Sequence, residues 1–360
     1  MPGGGRLPGM RTYAIWGTAT SPGHEDWVRK VGAEFERDGF VLVDDIAAAD
    51  FVLNMFDPED PKAFRRSSRG TYSASFYELP EAPEDVLKTS YPMLVRTLAN
   101  VVVLHVRGIG VWFTTMERGT YEITDDAADV FQRLAPLAKS KLVIDNEFLP
   151  DLEPELWDGD ENTAELADAG RRMDELDLLP APFPVHEFLS ERDLRHVMRL
   201  YQVGGLSYGN LSQRLDGTRF WMSASGVDKS KLEKIGQDML LVSGYDEPNA
   251  RIVLSVPPGI EPRRVSVDAI EHWMIYQAHP DVGAILHVNA WVEGIVATDI
   301  NYPCGTQELA ESVAELIDRE PDPAHAVIGL RNHGITATGD SLTEVLDRVT
   351  PKVQRQVPMT

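Results

Sequence analysis

Apolar positions in the first 150 residues alternate between short continuous runs and runs of helical period, which predicts strands with helices packed between them. TYAIWG (12–17) reads as a strand. SPGHEDWVRKVGAEFERDG follows, with Trp27, Val31 and Phe35 spaced to share one helix face. FVLVDD (40–45) and ADFVLNMF (49–56) predict two more buried strands. Residues 73–79 predict another strand, 84–100 a helix, and VVVLHV an apolar strand, with GVWFTTM and KLVIDNEF as further sheet. Strand, helix and strand joined by short links predict a Rossmann-like α/β domain over residues 1–150. Its first turn, GTATSPGH, has neither a GxGxxG fingerprint nor a Walker A lysine.

The pattern changes at 151–186, where acidic residues dominate and prolines stand at 154, 180, 182 and 184. This stretch reads as an acidic linker containing a solvated helix. EFLSERDLRHVMRLYQ then predicts the first helix of a second domain, 187–360, with Ser190 as its cap and Asp193 three residues on.

Composition narrows the classes. A chain of 360 residues that is 43% apolar holds enough core for two domains. A net charge of -23 disfavours a duplex nucleic-acid surface. No apolar run reaches the length of a membrane span, and no secretory apolar segment is visible. The one cysteine, Cys304, allows no intrachain disulfide and agrees with a cytoplasmic protein. Against this acidity, KAFRRSSRGTY stands out, and Arg65, Arg66 and Arg69 are candidates for binding an anion.

Five later segments share an order with a known family: LSYGNLSQRLDG, FWMSASG, VSVDAIEHWMIYQAHPDVGAILHVNA, NYPCGTQELAESV and AVIGLRNHGITATGDSLTEVLDRV. Together, over about 187–350, they resemble the class II aldolase/adducin family. The resemblance implies an α/β/α layered domain with a mainly antiparallel central sheet. It also implies a homo-oligomer with sites between subunits and carbohydrate chemistry on a small sugar-like or phosphorylated substrate.

The resemblance assigns residues as well. Gly209 and Asn210 match the family's GN turn, Ser225 and Gly226 its hydroxyl-Gly pair, and Ser266 the first of a serine pair whose second member is Val267 here. Such turns suit phosphate oxygens. The family's three metal-binding histidines come from an HxH strand and an NHG turn. His287 and His333 match two of them, and Asn289 stands in the place of the third. Residues i and i+2 of a strand face one side, so His287 and Asn289 can share a pocket. Asp268 replaces the family's catalytic glutamate. His272 matches a histidine seen near the site in some members, and Tyr302 lies where a neighbouring subunit can supply a catalytic acid.

The implied cofactor is a divalent metal, Zn or Mn, because imidazole suits the first and an amide oxygen tolerates harder ions. The implied activity is that of a lyase-like enzyme working through a metal-stabilised enolate: aldol cleavage, epimerisation, decarboxylation or dehydration. Two alternatives stand beside it. One is a non-catalytic binding or assembly protein on the same scaffold, as adducin is. The other is a two-domain enzyme whose N-terminal half binds a nucleotide or sugar nucleotide.

Overall fold

A computed structural model describes residues 10–63, 72–115, 119–175, 185–195 and 209–360. The chain divides into two compact units: Met1–Lys139 with Phe183–His196 and Met359–Thr360, and Ser140–Pro182 with Val197–Pro358.

The first unit is built on seven strands: β1 (Thr12–Gly17), β2 (Val41–Leu42), β3 (Phe51–Met55), β4 (Tyr72–Glu78), β5 (Val101–Val106), β6 (Gly110–Thr115) and β7 (Gly119–Ile123). They lie in the order β2-β1-β3-β4-β5-β6-β7. The first five are parallel and the last two form antiparallel pairs. β3 and β5 are buried at every position, as continuous apolar runs in a parallel sheet require.

Helix Pro22–Arg37 begins where the Ser21 hydroxyl accepts from the His24 N–H at 3.0 Å, with Pro22 supplying a first-turn residue that has no N–H to leave unpaired. Its Phe35 stacks on Tyr13 of β1 and Phe51 of β3, with ring centroids 5.2 and 5.3 Å apart. The α/β class is as expected, but a Rossmann arrangement is not established: β2 joins β3 through a single 3-10 turn, Ile46–Ala48, with β1 lying between them. FVLVDD contributes only two strand residues, both exposed, because β2 is the edge of the sheet. Arg65, Arg66 and Arg69 lie outside the described residues.

The second unit starts earlier than the sequence pattern suggests. KLVIDNEF forms β8 (Asp145–Leu149), which pairs in parallel with β12 (Arg251–Ser255) of the second sheet rather than with the first. The acidic stretch is more than a linker. Helix Glu161–Glu175 buries Leu166 and Met173 in the second core and turns its carboxylates outward. Residues 187–195, expected to open the second domain, group with the first unit. Ser190 accepts from the Asp193 N–H at 3.1 Å, and Arg96 grips the Asp193 carboxylate through two bonds of 3.0 and 2.7 Å.

The remaining strands are β9 (Asn210–Asp216), β10 (Arg219–Ser223), β11 (Met239–Asp246), β13 (Ala284–Val288), β14 (Trp291–Val292), β15 (Val327–Leu330), β16 (Gly334–Gly339) and β17 (Val353–Gln354). Eight strands form one sheet in the order β15-β16-β13-β9-β10-β11-β12-β8, antiparallel except at β12/β8. Alternation gives this sheet two unlike faces. Leu211, Leu286 and Ala337 lie in one register row and Val288 pairs with Ile335, all apolar. The alternate rows carry Asn210 and Ser212 of β9, His287 of β13, and Thr336 and Thr338 of β16. Among the described residues no helix is long and apolar enough to cross a membrane.

Candidate active site

The polar rows of the second sheet meet helix Ala269–Ala278. Its first turn and the residue before it carry Asp268, Glu271 and His272, all buried. In the register His287 lies directly between Asn210 on one neighbouring strand and Thr336 on the other. Each neighbour holds a carboxyl group. Asn210 Nδ2 donates to Asp268 Oδ2 at 2.7 Å, and the Thr336 hydroxyl donates to Glu271 Oε1. One row further along β9, the Ser212 hydroxyl bonds His272 Nδ1 at 2.7 Å and the Tyr276 hydroxyl at 2.9 Å. His272 and Tyr276 therefore share one helix face, one turn apart.

Two close backbone approaches bring the histidines together. Gly209, at φ +111°, passes so near β13 that a Cβ there would lie 2.6 Å from the His287 carbonyl oxygen. Gly334 passes the Val288–Asn289 backbone, where a Cβ would lie 2.2 Å from the Val288 carbonyl oxygen. Asn332 adopts a left-handed φ of 55°, which turns the chain from β15 into β16 and directs the turn at β13. The rings of His287 and His333 then sit 4.6 Å apart, inclined at 65°. His287 Nδ1 lies 3.0 Å from the Ile335 carbonyl oxygen, so Nδ1 donates this bond and Nε2 is the nitrogen left for the chemistry of the pocket.

Electrostatics divides the groups. Burial, and next the charge of Asp268, pushes the Glu271 carboxyl up to about 8. Burial, and next His287, pushes His272 down to about 3, so its ring is neutral at physiological pH. That makes His272 a poor proton donor and suits it to orienting Ser212 and the helix. Burial pushes Lys229 down to about 8, against the pull of Asp268 and then of Asp228. Tyr276 is raised by burial. Tyr302 is half-buried and raised by burial and then by Glu308 and Glu311, which keeps its phenol protonated.

Several polar atoms in this region are buried without a hydrogen-bond partner among the described residues: Asp268 Oδ1, Asn210 Oδ1, Asn289 Oδ1 and His272 Nε2. Buried polar atoms are nearly always paired, so these oxygens mark where a ligand donor or a cation would be satisfied. Ser225 and Gly226 form a turn at the end of β10, with the Ser225 N–H bonded to the Arg264 carbonyl oxygen at 2.8 Å and Gly226 at φ +69°. Ser266 is tied by its own N–H to the Ser223 carbonyl oxygen at 3.3 Å.

The donor set fits a metal only weakly. Among the described residues no three His, Cys, Asp or Glu side chains are arranged to hold an ion. Two adjacent imidazoles are present, and the orphaned amide oxygen of Asn289 is the remaining donor of the expected set.

Three residues carry more than the sequence alone shows. Glu271 reads there only as a substitute for Asp268 on a shift of helix register, and nothing in the sequence marks it as buried beside Asp268. Lys229 reads as one of several charges in DKSKLEK. Cys304 has no base near it in the sequence, yet its sulfur lies 3.4 Å from His333 Nε2.

Comparison with known proteins agrees on this half of the chain. Residues 194–298 match the model of the Class II Aldolase and Adducin N-terminal domain. The methylthioribulose-1-phosphate dehydratase of Xanthomonas campestris pv. campestris (strain 8004) is 24% identical over 203 residues, 46% of this chain and 86% of that protein. The enzyme of the same name from Leptospira biflexa serovar Patoc (strain Patoc 1 / Ames) is 30% identical over 111 residues, 30% of this chain and 49% of that protein. Among solved structures, an L-fuculose 1-phosphate aldolase aligns at a TM-score of 0.37 and 18% identity, covering 54% of this chain and 82% of that one. An aldolase II superfamily protein from Pseudomonas syringae aligns at 0.35 and 18%, covering 56% and 76%. The C-terminal half of the chain holds a class II aldolase/adducin-like domain.

Proposed function

We propose that this domain is a lyase-type enzyme that removes a proton next to the carbonyl of a small polyhydroxylated substrate, most simply a phosphorylated ketose. The single observation behind this reading is the buried Asp268: Asn210 fixes one of its oxygens at 2.7 Å, and the other has no hydrogen-bond partner among the described residues. A carboxylate held this way is oriented by one oxygen and available at the other. Asp268 takes the proton through Oδ1. Asn210 keeps the carboxylate from rotating. The turns at Gly209–Asn210 and Ser225–Gly226, with Ser266, bind the phosphate or terminal hydroxyls. Tyr302, which stays protonated, returns a proton to the departing group.

A zinc or manganese ion would be held by His287 and His333 with the amide oxygen of Asn289, and when bound would polarise the carbonyl and stabilise the enolate. The curated relatives are dehydratases of methylthioribulose-1-phosphate, which favours elimination of water among the reactions open to such a site. The protein is proposed to act as a homo-oligomer. A second reading, a binding protein on the same scaffold, draws on the amide at position 289 in place of a stronger ligand.

Metal analysis of untagged protein, paired with an assay of ketose 1-phosphates for loss of water or C–C cleavage, separates the two. Near-stoichiometric zinc or manganese lost in His287→Ala/His333→Ala, together with turnover lost in Asp268→Asn, supports the enzyme. Turnover unchanged in Asp268→Asn would sink it, and substrate-level binding without turnover would favour the second reading.

A further inference from the structure

The first unit brings several polar groups together at the carboxyl edge of its sheet. Glu78 ends β4, His105 lies at the end of β5, and Ser21 follows β1. All three stand at the carboxyl ends of parallel strands. Glu78 Oε2 accepts from the Ser21 hydroxyl at 2.7 Å, and Oε1 accepts from Arg107 at 2.9 Å. His105 stacks on Trp27 with ring centroids 4.1 Å apart and 5° between planes. Its Nε2 lies 3.0 Å from Asp125 and its Nδ1 3.7 Å from Glu78. Of the three, His105 is buried, and a buried histidine flanked by two carboxylates is uncommon in an apolar sheet.

Beside this cluster, and sharing Ser21 with it, lies a cavity of about 620 Å³. It opens beyond the carboxyl ends of β1, β2 and β3, where the strand order reverses from β2-β1 to β1-β3. Ligands of open α/β sheets bind outside the carboxyl ends of the strands at such a reversal. One wall is apolar: Ile15, Leu42, Val43 and Met55. Leu42 is 42% exposed, so its side chain is open to a ligand in the cavity. The other side is polar, with the hydroxyls of Thr18 and Ser21, and with Asp44 just past β2. A carboxylate at the end of the second strand can accept both hydroxyls of a ribose.

Among the described residues, the charge balance selects among ribosyl ligands. Arg29 is already paired with Glu25 at 2.8 Å, and Arg107 with Glu78 at 2.9 Å. The Asp44, Glu25 and Glu78 carboxylates would oppose a phosphate.

We propose that the carboxyl edge of the N-terminal sheet is a second small-molecule site that takes an uncharged nucleoside. The base lies on the Ile15–Leu42–Met55 wall, Asp44 accepts from the ribose diol, and the Ser21–Glu78 pair forms the polar end. This site is independent of the aldolase-like one.

The test is thermal unfolding and calorimetric titration of the full chain with adenosine, guanosine, cytidine and uridine, and with AMP as the charged control. At least one nucleoside at saturation raises Tm by about 5 °C. AMP binds at least ~10-fold more weakly than adenosine, because its phosphate adds like-charge repulsion. Asp44 is exposed, so Asp44→Ala folds normally and loses the shift. Glu78→Gln weakens binding by about tenfold, and Asp268→Asn binds as the parent does, which keeps this result separate from the lyase reading. No shift with any of the four nucleosides overturns the proposal. So does AMP binding more tightly than adenosine, or an undiminished shift in Asp44→Ala.

Discussion

The two sheets of this protein store their chemistry in different places. In the first, parallel strands such as β3 and β5 are buried on both faces, and the ionisable groups Glu78 and His105 stand at strand ends, with Ser21 beside them. In the second, antiparallel strands alternate, and polar groups lie in rows across a face, with Asn210, His287 and Thr336 side by side and a helix laid against them. An edge site remains near solvent. A face site is buried, and there a polar group left without a partner is costly. The difference predicts that changes to the face cost stability and shift titrations, whereas changes to the edge cost little of either.

The largest expected effect falls on turnover. Asp268→Asn lowers kcat by about 10²–10⁴ in the ketose-phosphate assay while the far-ultraviolet circular dichroism stays as in the parent. Full activity in this variant would put the reacting carboxyl elsewhere on the face.

Next comes the pH dependence of stability. Glu271 is raised from 4.5 to about 8, so between those values the native state binds more protons than the unfolded one. Its contribution is complete below pH 4.5 and is lost as pH rises to about 8, by an amount on the order of a few kcal/mol. Glu271→Gln, which keeps an acceptor for Thr336, flattens this decline in urea midpoints measured across the window. Lys229, lowered from 10.5 to about 8, acts in the opposite sense: stability rises from pH 8 to 10.5, and Lys229→Met removes that rise. An unaltered pH profile in both variants would mean that the face is wetter than its burial implies.

A smaller loss follows from Asn210→Ala, which leaves the buried Asp268 carboxylate without its amide donor. About 1–3 kcal/mol is expected in chemical unfolding. At the edge, Ser21→Ala removes the cap of helix Pro22–Arg37 and the bond to Glu78, for about 1 kcal/mol. If Ser21→Ala proved the more damaging of the two, the contrast between edge and face would fail.

How much was legible in the sequence depends on the range of the interaction concerned. Helix Pro22–Arg37 could be read in advance because its cap, its proline and its apolar face are local signals. His287 and His333 could be nominated from the HxN and NHG patterns, and the structure sets their rings 4.6 Å apart. β8 was assigned to the wrong sheet because an apolar run carries no mark of its pairing partner. The acidic stretch reads as a linker with a solvated helix, and the helix Glu161–Glu175 is there, but its anchoring in the core is hidden because its charges outnumber the few residues, Leu166 and Met173 among them, that hold it.

By itself, then, the sequence determined the local periods, the two-part composition and the family likeness of the second half. These depend on neighbours a few residues apart. Only the tertiary structure decided that Asn210 and Thr336 flank His287 and restrain Asp268 and Glu271, and that Cys304 meets His333. It also decided that Glu78 and His105 converge with Ser21 at one sheet edge. The physical reason is the same in each case: register between strands distant in sequence sets which side chains share a row, and burial in that row sets their protonation.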